Sequence, residues 1–132
     1  MYEVKKIFTF EMAHQLVSCY SEDCQNIHGH SYKLEVSVRG KELNQDGMLI
    51  DFKLLKERVN LLVDQWDHCF MANTEVKQQI NIAGKVFLFA GNTTAENMAE
   101  YAYWFLKTLI PDIKRINLWE TATGCASYWE SE

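Results

Sequence analysis

Residues 2–14 and residues 28–39 alternate apolar and polar side chains with a period of two. Such alternation is typical of half-buried antiparallel strands, and we predict that these two strands pair with each other. His14 falls on the same side of the first strand as its apolar row. Residues 15–27 are polar and irregular and are predicted to form a loop. The apolar rows are Phe8, Phe10 and Met12 in the first strand and Tyr32, Leu34, Val36 and Val38 in the second.

Two later segments carry apolar stripes with helical spacing. The first covers residues 52–66, and Asp51 before it is a candidate N-cap. The second begins at Thr94, and Pro111 lies just past its end, where a helix stop signal belongs. We therefore predict two amphipathic helices.

The remaining predicted elements are short. Residues 86–89 predict one strand, and residues 113–120 and 125–130 predict two strands around the turn at residues 123–124. Residues 72–84 are predicted to be a loop or short irregular structure. The order of two strands, helix, short strand, helix and two strands is typical of an α+β domain with its helices on one face of an antiparallel sheet.

Composition and charge exclude several classes of protein. The 132 residues include one proline and no low-complexity tract, so residues 1–132 are predicted to form a single domain. The hydrophobic fraction of 48% is that of a globular chain, and the net charge of −5 argues against a general nucleic-acid binder. No apolar stretch is long enough to span a bilayer or to serve as a signal peptide, so we expect a cytoplasmic protein with no membrane partner.

Three of the four histidines form a candidate metal site. His28 and His30 are separated by one glycine, so on a strand both imidazoles point to the same side. His14, at the end of the expected partner strand, adds a third imidazole. Catalytic zinc characteristically has three protein ligands and one open position, so these histidines predict a zinc site. The competing interpretation is three ordinary histidines with satisfied hydrogen bonds.

Cysteines in the predicted loop are candidates for chemistry beside this metal. Cys24 lies four residues before His28, where a nearby dication would lower the pKa of its thiol. It could be a fourth ligand that closes the site, a base or nucleophile beside an open site, or a small buried residue. Cys19 is a second candidate in the same loop. The four cysteines contain no CxxC pair, which argues against a four-cysteine zinc site.

Several other polar residues are weaker candidates when taken alone. Asp67 precedes His68 and could orient its imidazole, although a pair that caps the helix end is the simpler interpretation. Glu120 ends an apolar strand and could accept two parallel hydrogen bonds from a guanidine-like ligand edge, or could simply face solvent. Thr94 and Glu96 open the second helix, where capping is expected and does not exclude a binding role.

Six short motifs in the same order along nearly the whole chain resemble the 6-pyruvoyl-tetrahydropterin synthase and 6-carboxy-tetrahydropterin synthase family. The spacing of Cys24 before the two histidines resembles the bacterial carboxytetrahydropterin branch, which serves queuosine synthesis. The sequence departs from the family pattern at Thr93, where proline is common, at Cys69, and in the longer stretch at 76–89. The motifs are Phe10-Glu-Met-Ala-His14, Cys24-Gln-Asn-Ile-His28-Gly-His30, Gly47-Met-Leu-Ile-Asp51-Phe52, Asp67-His68, Thr94-Ala-Glu96-Asn97 and Trp119-Glu120-Thr121.

The resemblance implies a fold and a set of roles. The fold is the tunnelling fold (T-fold), in which a four-stranded antiparallel sheet carries two helices and the subunits close an oligomeric barrel as trimers or hexamers. The active sites lie at subunit interfaces, and each subunit holds one Zn²⁺. The implied roles are zinc ligands for His14, His28 and His30, catalysis for Cys24, Asp67 and His68, pterin anchoring for Glu120, a place near the pterin ring for Thr94 and Glu96, and a phosphate contact for Lys33.

The implied reaction converts 7,8-dihydroneopterin triphosphate to 6-carboxy-5,6,7,8-tetrahydropterin and releases acetaldehyde and triphosphate. The substrate is thus expected to be a small pterin triphosphate. Two alternatives stay open: a pyruvoyl-type or side-chain-cleaving relative, and a paralogue that binds zinc or pterin without turnover. Because Cys24, Asp67, His68 and Glu120 are all retained, the resemblance favours an active enzyme.

Overall fold

The structure is a computed structural model that describes residues 1–16, 25–75 and 82–131. Within these ranges the chain forms strands and two helices in an α+β order. The strands are β1 (Tyr2–His14), β2 (His28–Gly40), β3 (Cys69–Asn73), β4 (Val86–Phe89), β5 (Ile113–Trp119) and β6 (Cys125–Tyr128). The helices are α1 (Phe52–Trp66), between β2 and β3, and α2 (Ala95–Lys107), between β4 and β5.

The predicted pairing of the first two strands is confirmed. β1 and β2 are antiparallel over their full length, from Tyr2 opposite Gly40 to His14 opposite His28. The even-numbered residues are buried from Phe8 to Met12 in β1 and from Tyr32 to Val38 in β2, and His14 continues the buried row of β1 with no exposed surface. Residues of the other face are more open, and the side chain of Ile7 is half exposed.

The sheet is larger and less regular than the four antiparallel strands expected from the resemblance. The described residues form six strands in the order β4-β3-β1-β2-β5-β6. β3 pairs in parallel with the end of β1, and β4 pairs in parallel with β3, so the sheet is mixed. β3 was not predicted because all five of its residues are buried, which removes the alternation that marks a half-buried strand. Its last two residues, 72–73, fall where a loop was predicted.

Both helices were predicted correctly and pack on the same face of the sheet. Asp51 caps α1 by accepting a hydrogen bond from the backbone N–H of Lys53 (2.7 Å). Thr94 caps α2 through the N–H of Asn97 (3.2 Å). None of the helices among the described residues is long and apolar enough to cross a bilayer. The helix residues buried against the sheet include Leu55, Val59, Leu62, Trp66, Met98, Ala102 and Leu106.

Candidate functional site

The pairing of β1 with β2 assembles the three predicted metal ligands. His14 lies directly opposite His28, and His30 follows two residues later on the same side of β2. The ring centroids are 4.6 Å apart for His14–His28, 5.1 Å for His14–His30 and 4.8 Å for His28–His30. One ring nitrogen of each histidine lies within 4.8 Å of the other two, so the cluster could hold one metal ion. The structure therefore brings the three histidines together, and their role as metal ligands stays a prediction.

Backbone carbonyls orient two of these rings. The Nδ1 of His14 lies 2.8 Å from the carbonyl oxygen of Thr93, and the Nδ1 of His28 lies 2.7 Å from that of Asn26. A carbonyl only accepts, so each Nδ1 donates its hydrogen and each Nε2 is left with a lone pair. The two Nε2 atoms are 3.0 Å apart. Metal-binding histidines commonly have this arrangement, with one nitrogen fixed by a second group and the other directed at the ion.

Burial favours the neutral form that a metal needs in His14 and His30. Desolvation lowers the pKa of His14 to about 4, and the neighbouring His28 and His30 add to that effect. Desolvation also lowers the pKa of His30. The buried Nε2 of His30 has no hydrogen-bond partner among the described residues. A buried nitrogen of this kind needs a ligand, and a metal would supply one.

Glu120 reaches the same cluster from the end of β5. Its Oε1 lies 3.4 Å from the Nε2 of His14 and 3.5 Å from the Nε2 of His30. About a third of its side chain is exposed, so one part of the carboxylate faces the histidines while another is open to a ligand. The structure therefore brings the predicted pterin anchor and the predicted metal ligands together.

Asp67 and His68 form the pair that the sequence only weakly indicated. The Oδ1 of Asp67 lies 2.9 Å from the Nδ1 of His68 and also accepts the backbone N–H of Glu11 at 2.9 Å. The hydrogen bond from Glu11 is the main cause that lowers the pKa of Asp67, and His68 lowers it further. His68 adopts a φ of 59°, which few non-glycine residues do, and its backbone N–H donates to the carbonyl of Glu11. In this turn the carboxylate of Asp67 orients the exposed imidazole of His68.

The exposed imidazole of His68 opens into a depression beside the β1–β2 pair. His68 lines a shallow depression of about 390 Å³ together with Glu11, Ala13 and Ser31, whose positions have the parity opposite to that of His14. The depression also includes His30 and is otherwise open. The hydroxyl of Ser31 donates to the Oε2 of Glu11 at 2.6 Å. Within one protomer, the imidazole of His68 is therefore exposed in a depression that it shares with His30 of the cluster and with residues of the parity opposite to that of His14.

The contacts of the other predicted substrate-binding residues lie outside the histidine cluster. The ammonium of Lys33 lies 4.0 Å from the centre of the Trp119 ring, on the sheet face away from the core. Thr94 serves as the N-cap of α2, and Glu96 is exposed in its first turn. The capping interpretation of Thr94 is confirmed, whereas the roles of Thr94, Glu96 and Lys33 in substrate binding stay predictions.

The predictions for Cys24 and Cys19 fall outside the described residues. The sequence analysis missed the carbonyls of Thr93 and Asn26, which are backbone groups and leave no mark in residue type. It also missed the Glu11–Ser31 pair, whose parity in the two strands was the one available signal.

These features define an α+β protein in which two paired strands present three histidines and the end of a third strand adds a carboxylate, as in a metal-dependent enzyme. Comparison with known proteins agrees. The sequence profile of the family described as 6-pyruvoyl tetrahydropterin synthase matches residues 3–131. The 6-carboxy-5,6,7,8-tetrahydropterin synthase of Haemophilus influenzae is 36% identical and covers 98% of this chain and 100% of the relative. The enzyme of that name from Aquifex aeolicus is 31% identical over 98% of both chains.

Solved structures show the same fold. The 6-pyruvoyl tetrahydropterin synthase of Caenorhabditis elegans superposes with a TM-score of 0.74 at 24% identity, covering 98% of this chain and 96% of the other. That of Plasmodium vivax gives a TM-score of 0.78 at 19% identity over 100% of both chains. The expected tunnelling fold of the subunit is thereby confirmed. The chain belongs to the 6-pyruvoyl tetrahydropterin synthase family of enzymes.

Proposed function

We propose that this chain is a zinc-dependent lyase of the 6-carboxy-5,6,7,8-tetrahydropterin synthase type. Its substrate would be 7,8-dihydroneopterin triphosphate, and its products 6-carboxy-5,6,7,8-tetrahydropterin, acetaldehyde and triphosphate, for queuosine biosynthesis in the cytoplasm. The observation that carries the proposal is the three-histidine cluster with Glu120 beside it. The relatives from Haemophilus influenzae and Aquifex aeolicus carry the name of this activity.

The residues of the cluster fit a zinc ion. Two rings present Nε2 lone pairs that the carbonyls of Thr93 and Asn26 fix in place, and the third presents a buried nitrogen without a hydrogen-bond partner among the described residues. Imidazole nitrogens suit zinc, and three of them leave a position for a ligand. Zinc held by His14, His28 and His30 would act as a Lewis acid that lowers the pKa of the hydroxyls on the pterin side chain.

The chain's own groups would bind the substrate and move its protons. The Glu120 carboxylate would accept two parallel hydrogen bonds from the aminopyrimidinone edge of the pterin, which positions the side chain at the histidines. Cys24 and His68 would transfer protons between the side chain and the ring. Asp67 would hold the Nδ1–H of His68, which leaves Nε2 as the nitrogen that exchanges the proton.

The placement of His68 supports an active site shared between protomers. Its imidazole is 76% exposed and lines an open depression, whereas the side chain of His14 is fully buried. A small pterin bound at the histidines of one protomer would therefore take its proton from the Asp67–His68 pair of a neighbour. We accordingly propose a homo-oligomer, a trimer or hexamer, in which neighbouring subunits complete each site.

Product analysis tests this proposal. Zinc-loaded protein is incubated with 7,8-dihydroneopterin triphosphate, and acetaldehyde, triphosphate and pterins are measured beside a Cys24→Ala variant. Acetaldehyde and a carboxypterin, both lost in the variant, are the expected result. A pyruvoyl product would assign the chain to the pyruvoyl type instead. Zinc and pterin binding without turnover would identify a non-catalytic paralogue and overturn the proposal.

A further inference from the structure

A second concave site lies at the opposite end of the sheet from the histidines. It is a pocket of about 540 Å³. Arg39 lines it from the end of β2, eleven residues after His28, which corresponds to about 36 Å of extended strand. The pocket is therefore separate from the histidine cluster. Its cationic lining residues are Arg39, Lys107, Lys114 and Arg115.

Most of the positive charge in this pocket is not neutralised by carboxylates. Arg39 pairs with Glu3, with 3.1 Å between Nε and Oε1. Across the described parts of the chain, Lys107, Lys114 and Arg115 form no ion pair within 4.0 Å. Such a concentration of unpaired cations is unusual in a chain whose net charge is −5.

The polar contacts of these cations are with neutral groups. Lys107 donates to the carbonyl of Ile113 at 3.3 Å, and the Nε of Arg115 donates to the Oδ1 of Asn117 at 3.0 Å. These contacts hold the side chains of Lys107 and Arg115 in place without cancelling their charge. Cations held in this way are available to bind an anion.

One carboxylate and two aromatic rings also line the pocket, those of Glu130, Tyr103 and Trp129. The Oε1 of Glu130 accepts the hydroxyl of Tyr103 at 2.9 Å, so the one acidic side chain in the lining is bound to a neutral donor. The guanidinium of Arg115 lies 4.3 Å from the centre of the Trp129 ring, a cation–π contact that fixes its plane at the pocket wall.

We propose that this pocket binds an oligophosphate anion, either free or as part of a phosphorylated small molecule. The volume exceeds what a single phosphate needs, and three or more cations match an anion that carries several charges. The inference does not depend on the proposed lyase activity, because the pocket and the histidine cluster share no residue.

Calorimetric titration of the zinc-loaded, full-length protein with inorganic tripolyphosphate tests the pocket. A Lys114→Gln/Arg115→Gln variant is compared with a Lys53→Gln/Lys56→Gln variant, which removes the same charge from exposed positions of α1. We expect the pocket variant to bind tripolyphosphate about tenfold more weakly or worse, and the α1 variant to bind like the parent. Lys114→Gln alone, at an exposed position, should show a smaller loss in the same direction.

Three results would overturn the inference. The parent protein could fail to bind tripolyphosphate at the pocket, so that the pocket variant and the parent give the same isotherm. Both double variants could weaken binding equally, which would identify a diffuse charge effect. Finally, size-exclusion chromatography could show that the pocket variant changes the oligomeric state without a specific loss of binding, which would make the pocket a contact between copies of the chain.

Discussion

The Nε2 atoms of His14 and His28 face each other at 3.0 Å, although both rings already donate their Nδ1 hydrogens to backbone carbonyls. Two neutral imidazoles in these tautomers direct lone pairs at each other, which is unfavourable unless a cation lies between them. Burial opposes a proton in that position, because desolvation lowers the pKa of His14 to about 4. A bound metal ion resolves the conflict, and we regard this pair as the strongest structural argument for zinc.

The first prediction concerns the ligands and their supporting group. His28→Ala should abolish stoichiometric zinc binding, because it removes one of three imidazoles. Thr93→Val should keep the zinc, with an affinity within about tenfold of the parent, because the orienting acceptor is the backbone carbonyl of Thr93. Elemental analysis and competition with a chelator measure both. Full zinc occupancy in His28→Ala would show that the histidine cluster is not the metal site.

The second prediction separates substrate anchoring from metal binding at Glu120. Glu120→Gln keeps the shape of the side chain but loses its charge, so KM should rise about tenfold or more while the zinc content stays unchanged. Glu100→Gln, at an exposed position of α2, should leave both quantities as in the parent. Loss of zinc from the Glu120 variant would instead make this carboxylate, 3.4 Å from His14, a metal ligand.

The third prediction tests the packing of α1 on the sheet with two adjacent leucines. Leu62 is completely buried, and Leu61 is 54% exposed on the same helix. Leu62→Ala should lower the free energy of unfolding by about 2–5 kcal/mol, because it leaves a cavity in the core. Leu61→Ala should change it by less than about 1 kcal/mol, because that side chain is largely exposed. Both substitutions change helix propensity equally, so the difference between them reports burial. Equal losses in denaturant titrations would mean that α1 does not pack as described.

The sequence predicted those parts of the fold in which one face of an element is buried and the other is not. Residues 2–14 and 28–39 alternate, so their pairing and the position of His14 could be predicted. α1 was predicted with its observed bounds from its helical stripe and the Asp51 cap. β3 could not be found in this way, because burial on both faces leaves no period to detect.

In the candidate site, too, some features could be predicted from the sequence and others could not. Residue type and spacing were enough to predict the three histidines, and the family resemblance added Glu120, Asp67 and His68. No property of the sequence shows that the backbone carbonyl of Thr93 orients His14, or that the imidazole of His68 is exposed in a depression. Both follow from the tertiary path of the chain.

We propose that the histidine face of one protomer and the Asp67–His68 pair of another form a single active site. Two variants test it, His28→Ala and His68→Ala, each of which should be inactive alone. When the two are mixed, unfolded and refolded together, a shared site predicts activity in about one quarter of the sites, because random assembly pairs an intact cluster with an intact neighbouring imidazole. The rate of acetaldehyde release reports the recovery, with refolded parent protein as the reference. Recovery towards one quarter of the activity of the refolded parent would support a site built from two protomers. A mixture as inactive as its components, in oligomers shown to have exchanged subunits, would contradict the claim.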